Sequence, residues 1–294
     1  MSALEVTAVG MFATVQDLGR HGFLDQGVGT AGAADRASAA LGNRLVANTP
    51  DAAVVEALFG GLTVRARAAV EVAITGAYCL LTVITAGGRT HHAAMYEVIE
   101  LADGDELRLG PPSAGLRAYL AVRGGIDVPP VLGSRSYDTL SAIGPAPLAI
   151  GDVLPVGDAT SGDPVVDAVA PPWGAEGDGA GAVLDALLGP RDDWFTPAAL
   201  EALRTGVFTV TPASDRVGVR LEGPVLERAV ADELPSEPMA LGSLQVPPGG
   251  HPIIFLADHP VTGGYPVIAV LTDAAVDRAA QLAPGRRVRF RLAR

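Results

Sequence analysis

Glycine and proline interrupt this sequence about once in every five residues, with 36 glycines and 23 prolines among 294. Average usage of the two is roughly 12%. Proline removes a helix hydrogen bond and glycine costs backbone entropy, so a chain broken this often favours short strands joined by turns over long helices. Apolar or alternating runs lie between the breaks at 53–58, 62–66, 70–75, 79–85, 97–102, 106–109 and 116–122, each of strand length. Asp103-Gly104, between two of them, predicts a hairpin turn because both residues tolerate positive φ. One helix stands out in this half. Ala34, Ala37, Leu41 and Leu45 recur at three- and four-residue spacing, Asn48 and Pro50 supply the stop, and the other face carries Asp35, Arg36, Asn43 and Arg44.

From about 157 to 181 the chain turns to Asp, Gly, Pro and Ala without periodicity, the signature of a linker. The expected division is therefore an N-terminal β unit over 1–160, a linker over 161–180 and a C-terminal β unit over 181–294. In the last of these, strands are expected at 183–188, 207–211, 217–222, 243–246, 253–257 and 267–271. Thr196-Pro197 and Thr272 each open a short helix as N-cap. Near the end Val288, Phe290 and Leu292 alternate with Arg287, Arg289 and Arg291, one set facing in and the other out. The expected fold is mainly β with a few short helices, arranged as two tandem barrel-like units.

Composition narrows the chemistry. With 49% hydrophobic residues the chain can build real cores, and a net charge of −12 opposes any nucleic-acid partner. All 21 basic residues are arginine. A chain without lysine cannot form Schiff bases, complete a phosphate-binding loop that ends in Lys, build a Ser–Lys nucleophile or carry biotin covalently. A single cysteine, Cys79, allows no internal disulfide and no thiolate metal cluster. Glu5 comes early and no basic start leads into an apolar run, so no secretory signal is expected. The uncharged stretch 238–257 holds Pro247, Pro248, Gly249, Gly250 and Pro252 and cannot span a bilayer as a helix. The expected location is the cytoplasm, with no membrane partner.

Several loops bear chemistry. Residues 14–20 place Gln16, Asp17 and Arg20 close together, which suits a metal or an anionic substrate, and equally a turn in which Asp17 bonds its own backbone. Glu56 lies inside an apolar strand and needs a partner such as Arg20, Arg36 or Arg44, unless it faces solvent. In the loop 132–138, Gly133, Arg135 and the two hydroxyls of Ser134 and Ser136 suit an oxyanion or phosphate, and equally a surface turn. Arg216, Arg220 and Glu222 share one face of a strand, the pattern of a solvated, self-paired face. The turn of Asp258, Thr262, Gly263, Gly264 and Tyr265 offers an acid, a hydroxyl, a phenol and close backbone approach. His91-His92 reads as a strand-edge pair, and no metal site is expected. Hydrolytic elbow and zinc-helix motifs are absent from the sequence.

Taken in order, TVQDLGRHGF, GTAGAADRASAALGNRLVAN, AYLAVRGGIDVPPVLGSRSYDTL, SDRVGVRLEGP and GSLQVPPGGHPIIFLADHPVTGGYPVIAVL with QLAPGRRVRF resemble one family over nearly the whole chain. It is the allophanate hydrolase subunit 2 or Kip-antagonist family of carboxyltransferase-like proteins, whose bacterial members are mostly assigned as the C-subunit of ATP-dependent 5-oxoprolinase. The resemblance implies cyclophilin-like β-barrel architecture, a partner of the subunit 1 or Kip-inhibitor type, and a third oxoprolinase subunit. It implies ATP and Mg²⁺ as cofactors, and phosphorylation of the lactam of 5-oxoproline followed by hydrolysis to glutamate. Matching positions suggest Asp17, Arg135 and Asp258 as catalytic. Those suggested for binding substrate or nucleotide are Gln16, Arg20, Asp35, Asn43, Glu56, Ser134, Arg216, Arg220, Gln245, Thr262, Gly263, Gly264 and Tyr265. Ala34 replaces the methionine usual before Asp35, and His259 the arginine usual after Asp258. Two alternatives stand beside this reading: carboxyl transfer as in urea carboxylase or allophanate hydrolase, and a non-enzymatic module that binds a Kip-type inhibitor.

Overall fold

The structure, a computed structural model, describes residues 2–166, 168–170 and 181–293. The chain is mainly β, with three short α-helices among the described residues. It forms two compact units. The first comprises Met1–Arg20, Asp35–Asp138 and Ala142–Glu176, and the second His21–Ala34, Thr139–Ser141 and Gly177–Arg294. The units are thus interleaved in sequence. The first also continues past residue 160: Thr160 bridges Asn48, and Ala168 bridges Glu97. Most of the expected linker lies outside the described residues.

The first unit holds β1 (Ala3–Val9), β2 (Phe12–Gln16), α1 (Arg36–Leu45), β3 (Val54–Leu58), β4 (Leu62–Arg67), β5 (Val70–Ile84), β6 (Thr90–Ala93), β7 (Val98–Leu101), β8 (Glu106–Val122) and β9 (Val153–Pro155). Its strands form one nine-stranded sheet in the order β2-β3-β8-β4-β1-β9, with β5 pairing along β8 and carrying β6 and β7. The expected runs at 70–75 and 79–85 are one strand, as are those at 106–109 and 116–122. Register shifts between Gly76 and Leu81 absorb the extra residues as bulges, which sequence punctuation alone reads as breaks.

One line of interruptions crosses this sheet. β3 and β4 pair with successive halves of β8, while β2 and β1 pair with β3 and β4. The turns after β1 and β3 therefore fall side by side, opposite the middle of β8. A Cβ on Gly60, whose φ is +70°, would sit 2.1 Å from the Gly110 carbonyl oxygen, and one on Gly10 would sit 2.2 Å from that of Gly60. Only glycine lets three backbones meet this closely. The inward faces bury Leu4, Val6, Val15, Val55, Leu62, Val64, Ile74, Leu107 and Leu120.

Cys79 lies in β5, 8% exposed, and burial pushes its thiol up to about 11. Folding thus favours the neutral thiol, and the stability this contributes is lost as pH rises from about 9 through 11. At pH 8 we expect iodoacetamide to label Cys79 only after denaturant unfolds the chain. Rapid labelling of the native protein would contradict this burial.

The second unit holds β10 (Ala182–Leu188), α2 (Pro197–Thr205), β11 (Phe208–Val210), β12 (Gly218–Glu222), β13 (Glu237–Pro238), β14 (Ser243–Gln245), β15 (Ile253–Phe255), β16 (Thr262–Gly263), β17 (Val267–Leu271), α3 (Asp273–Ala279) and β18 (Arg287–Leu292). Seven strands close a barrel in the order β10-β17-β14-β15-β12-β11-β18, with β10 and β18 running parallel. β13 and β16 form a separate two-stranded ribbon. The caps are as the sequence predicts: Thr196 accepts from the Ala199 amide and Thr272 from that of Ala275. β18 buries Val288 and Phe290 and exposes Arg287, Arg289 and Arg291. No helix among the described residues is long and apolar enough to cross a membrane.

Candidate functional site

In the first unit, β2 delivers Gln16 to the mouth of a polar loop, and Asp17 then organises the segment that follows Gly133. Asp17 Oδ1 accepts from the Gly19 amide at 2.8 Å, the Ser134 hydroxyl at 2.7 Å and the Ser136 hydroxyl at 2.5 Å. Oδ2 accepts from the Arg135 amide at 2.6 Å. Ser136 Oγ accepts in turn from the Asp17 amide at 3.0 Å. Four donors on one carboxylate make Asp17 the tie between two loops far apart in sequence. Each such charge-assisted bond contributes on the order of 1.5–3 kcal/mol. The Arg135 side chain turns away, donating from Nε to the Val128 carbonyl at 2.7 Å and pairing with exposed Asp127 at 2.6 Å.

Against this loop lie two buried side chains whose hydrogen-bonding capacity is only half used. Arg20 is 1% exposed; its Nη2 donates to the carbonyls of Ser136 and, at 3.2 Å, Ile143. Its Nε and Nη1 have no partner among the described residues. Gln16 is fully buried, and its Nε2 donates to Thr14 Oγ1 and to the Tyr137 carbonyl, both at 2.9 Å. Because a carbonyl can only accept, the Tyr137 bond fixes which end of the amide is nitrogen. Gln16 Oε1 is left without a donor among the described residues. Each buried polar atom without a partner costs roughly 1–3 kcal/mol, and more on a cation.

Behind this loop a second network is complete. Asp35, placed by the sequence on the polar face of α1, is its N-cap and fully buried. It accepts from the Ser38 amide at 2.9 Å and the Ser38 hydroxyl at 2.6 Å, while its own amide donates to Tyr119 Oη at 2.8 Å. Tyr119 donates to Glu56 Oε2 at 2.9 Å, and Arg117 Nε lies 3.4 Å from Glu56 Oε1. Burial, then the negative charges of Glu56 and Asp35, hold the Tyr119 phenol well above its ordinary pKa. It is a proton-bearing donor at neutral pH. Glu56 is thus partnered by Arg117 and Tyr119, neither of which the sequence reading proposed. Pairing of β3 with β8 sets Glu56 opposite Tyr119, with Arg117 two residues along on the same face. Asn43 donates to the Ala52 carbonyl at 2.7 Å and accepts from Asn48 at 3.0 Å, which ties the two ends of the helix turn together.

In the second unit, Arg216 and Asp258 form a bidentate pair, 5% and 1% exposed. Nε donates to Oδ2 and Nη2 to Oδ1, both at 2.9 Å. Arg216 also donates to the Gly32 carbonyl at 2.6 Å, and Asp258 accepts from the Thr139 amide at 2.9 Å and hydroxyl at 2.6 Å. Arg216 precedes β12 and is buried, whereas Arg220 and Glu222 are exposed on it, so the three share no solvated face. Gln245 donates to the Tyr265 carbonyl at 3.1 Å, and a Cβ on Gly263 would lie 2.7 Å from Gln245 Nε2, so a side chain there would have to displace the Gln245 amide. Thr262 and Gly263 belong to the ribbon strand β16. Gly264 and Tyr265 line a cleft of ~650 Å³, where Arg228 lies 5.7 Å from the Tyr265 ring centre.

The structure thus draws Gln16, Asp17, Arg20, Ser134 and Arg135 into one cluster and Asp35, Asn43 and Glu56 into its supporting framework. Arg216 and Asp258 make a separate pair, and Gln245 joins the Gly263–Tyr265 turn. Sequence reasoning counted Ser136 only as the second hydroxyl of the 132–138 loop and missed Tyr119, Arg117 and Thr139, which depend on strand pairing or chain return.

Of the arginines suggested for substrate or nucleotide, Arg135 is tied to Asp127, Arg216 to Asp258, and Arg220 faces outward, so these three form no converging set of cations for a triphosphate. Among the described residues no group of three or more His, Cys, Asp or Glu could hold a metal ion. His91 and His92 sit on edge strand β6. These residues do not fit a self-contained ATP–Mg²⁺ site.

The chain is 36% identical over 98% of its length to the 5-oxoprolinase C-subunit of Escherichia coli strain K12, covering 90% of that protein. The crystal structure of TTHA0988 superimposes with a TM-score of 0.85 and 34% identity, over 99% of this chain and 55% of that one. The urea amidolyase of K. lactis superimposes with a TM-score of 0.89 and 30% identity, over 98% of this chain and 18% of that one. The chain therefore spans about half of the first solved relative and under a fifth of the second. The model of the carboxyltransferase domain, subdomain A and B, matches residues 26–292. The chain belongs to this carboxyltransferase-domain family.

Proposed function

We propose that this chain is one subunit of a cytoplasmic, ATP-dependent 5-oxoprolinase, the enzyme that opens the lactam of 5-oxoproline to glutamate. The observation that carries the reading is identity: the chain is 36% identical over 98% of its length to a protein named as the C-subunit of 5-oxoprolinase, against 33% and 29% to the urea amidolyases of Lachancea kluyveri and Saccharomyces cerevisiae. An unactivated lactam is a weak electrophile, and phosphorylation of its oxygen by ATP opens the ring carbon to water; breaking of the ring C–N bond then leaves an acyl phosphate, whose hydrolysis gives glutamate and phosphate. No phosphoryl-transfer step is assigned to residues of this chain, because they do not fit ATP. Its contribution in this reading is to hold the substrate. Partners of the subunit 1 or Kip-inhibitor type, and a third oxoprolinase subunit, complete the assembly.

The second reading, carboxyl transfer to urea, is favoured by the TM-score of 0.89 to the urea amidolyase. Reconstitution separates the two. The chain mixed with the subunits encoded beside it, ATP and Mg²⁺ is expected to release phosphate and glutamate on addition of 5-oxoproline and to ignore urea. Phosphate release that 5-oxoproline fails to stimulate would overturn the proposal.

A further inference from the structure

We infer that Gln16 and Arg20 form a buried receptor for a small cyclic amide that carries an oxyanion beside its ring N–H. The inference rests on the oxoprolinase reading for the identity of that ligand, but its geometry stands alone. Gln16 Nε2 and Arg20 Nη2 are bonded to the carbonyls of Tyr137 and Ser136, so both side chains are anchored on the same two-residue stretch of loop. Each spends one nitrogen on the loop and leaves its remaining polar atoms buried and unmatched: Oε1 on Gln16, Nε and Nη1 on Arg20. The pair therefore presents one acceptor oxygen and two donor nitrogens, with a positive charge on the donor side.

Few small molecules match that set. In 5-oxoproline the ring N–H stands between the lactam oxygen and the carboxylate, one donor between two acceptors, with a negative charge on one of them. Urea presents four N–H donors and a single acceptor, the reverse surplus, and no charge to balance Arg20. Inorganic phosphate could balance Arg20 and turn a hydroxyl to Gln16 Oε1, so it is the competitor that displacement must exclude. We assign the ring N–H to Gln16 Oε1 and the carboxylate to Arg20. Asp17 does not compete for Arg20, because its oxygens are engaged by the Gly19, Ser134, Arg135 and Ser136 donors.

The test uses the assembled complex and two kinds of change. On the ligand side, unlabelled analogues displace labelled 5-oxoproline in equilibrium dialysis. 2-Pyrrolidinone, which lacks the carboxylate, is expected to bind about a hundredfold more weakly, and urea and inorganic phosphate are expected not to displace it. On the protein side, Arg20→Lys keeps a donor for the loop carbonyls but cannot fill the remaining sites. It is expected to raise KM for 5-oxoproline roughly tenfold or more with kcat within about twofold. Gln16→Glu, whose carboxylate would compete with the ligand's for Arg20, is expected to raise KM similarly. Melting curves check that both variants fold, and the analogue series needs no variant.

Equal binding of 2-pyrrolidinone and 5-oxoproline, unchanged KM in both folded variants, or displacement by phosphate would overturn the assignment. If the parent complex neither binds nor turns over 5-oxoproline, the oxoprolinase reading fails. The receptor is then judged by ¹³C-acetate line broadening. Broadening that Arg20→Lys abolishes supports an oxyanion site, and its absence overturns one.

Discussion

Replacing Arg216 with methionine should destabilise the chain by about 3–5 kcal/mol, the scale for breaking a buried ion pair from one side. Asp258 would remain 1% exposed and bonded to the Thr139 donors, a charge removed from water without its counter-ion. The Gly32 carbonyl would lose the Arg216 donor as well. Denaturant midpoints of parent and variant measure the loss. The double change Arg216→Met with Asp258→Leu should recover part of it, because an apolar pair leaves no uncompensated charge. A loss below about 1 kcal/mol would place the pair in the class of solvated surface bridges and contradict the geometry.

The second large effect belongs to Asp17→Asn. The amide keeps one oxygen for Gly19, Ser134 and Ser136 but turns an N–H toward the Arg135 amide, donor against donor. Weakening three charge-assisted bonds and reversing a fourth should cost roughly 2–4 kcal/mol. The functional consequence is of the same order as the folding one. Ser136 supplies the carbonyl that grips Arg20, so a displaced loop moves the open guanidinium nitrogens away from the ligand. Misplacement of about 1 Å is enough for kcat/KM to fall on the order of a hundredfold. An Asp17→Asn complex with parental kcat/KM would show that the loop does not position Arg20.

Much of this arrangement is legible in the sequence, for definable reasons. Strand and helix boundaries in the second unit follow from local signals: Thr196-Pro197 and Thr272 cap their helices, and the Arg–apolar alternation of 287–292 is resolved by β18 as drawn. Glu56 is legible only as a carboxylate in need of a partner. Which cation answers it depends on β3 lying beside β8, a pairing that no periodicity within either strand encodes. Asp35 is misplaced by one position for a similar reason, since the spacing of apolar residues marks a helix face while the cap is fixed by the Ser38 bonds. Merging of the expected short runs into β5 and β8 has its cause in bulges that glycine and proline permit without ending a strand.

The open atoms of Gln16 and Arg20 show the limit most clearly. Sequence places an amide and a guanidinium in one loop, but only the packing shows that each gives one nitrogen to the 136–137 carbonyls and leaves the rest buried without a partner. Those unmet groups are what distinguish a receptor for a charged lactam from a turn stabilised by its own polar residues.

A crystal structure of the assembled complex soaked with 5-oxoproline tests this most directly. The account predicts the ring N–H on Gln16 Oε1 and the carboxylate against the open nitrogens of Arg20. Density for the ring elsewhere, with ordered water alone on those atoms, would contradict it.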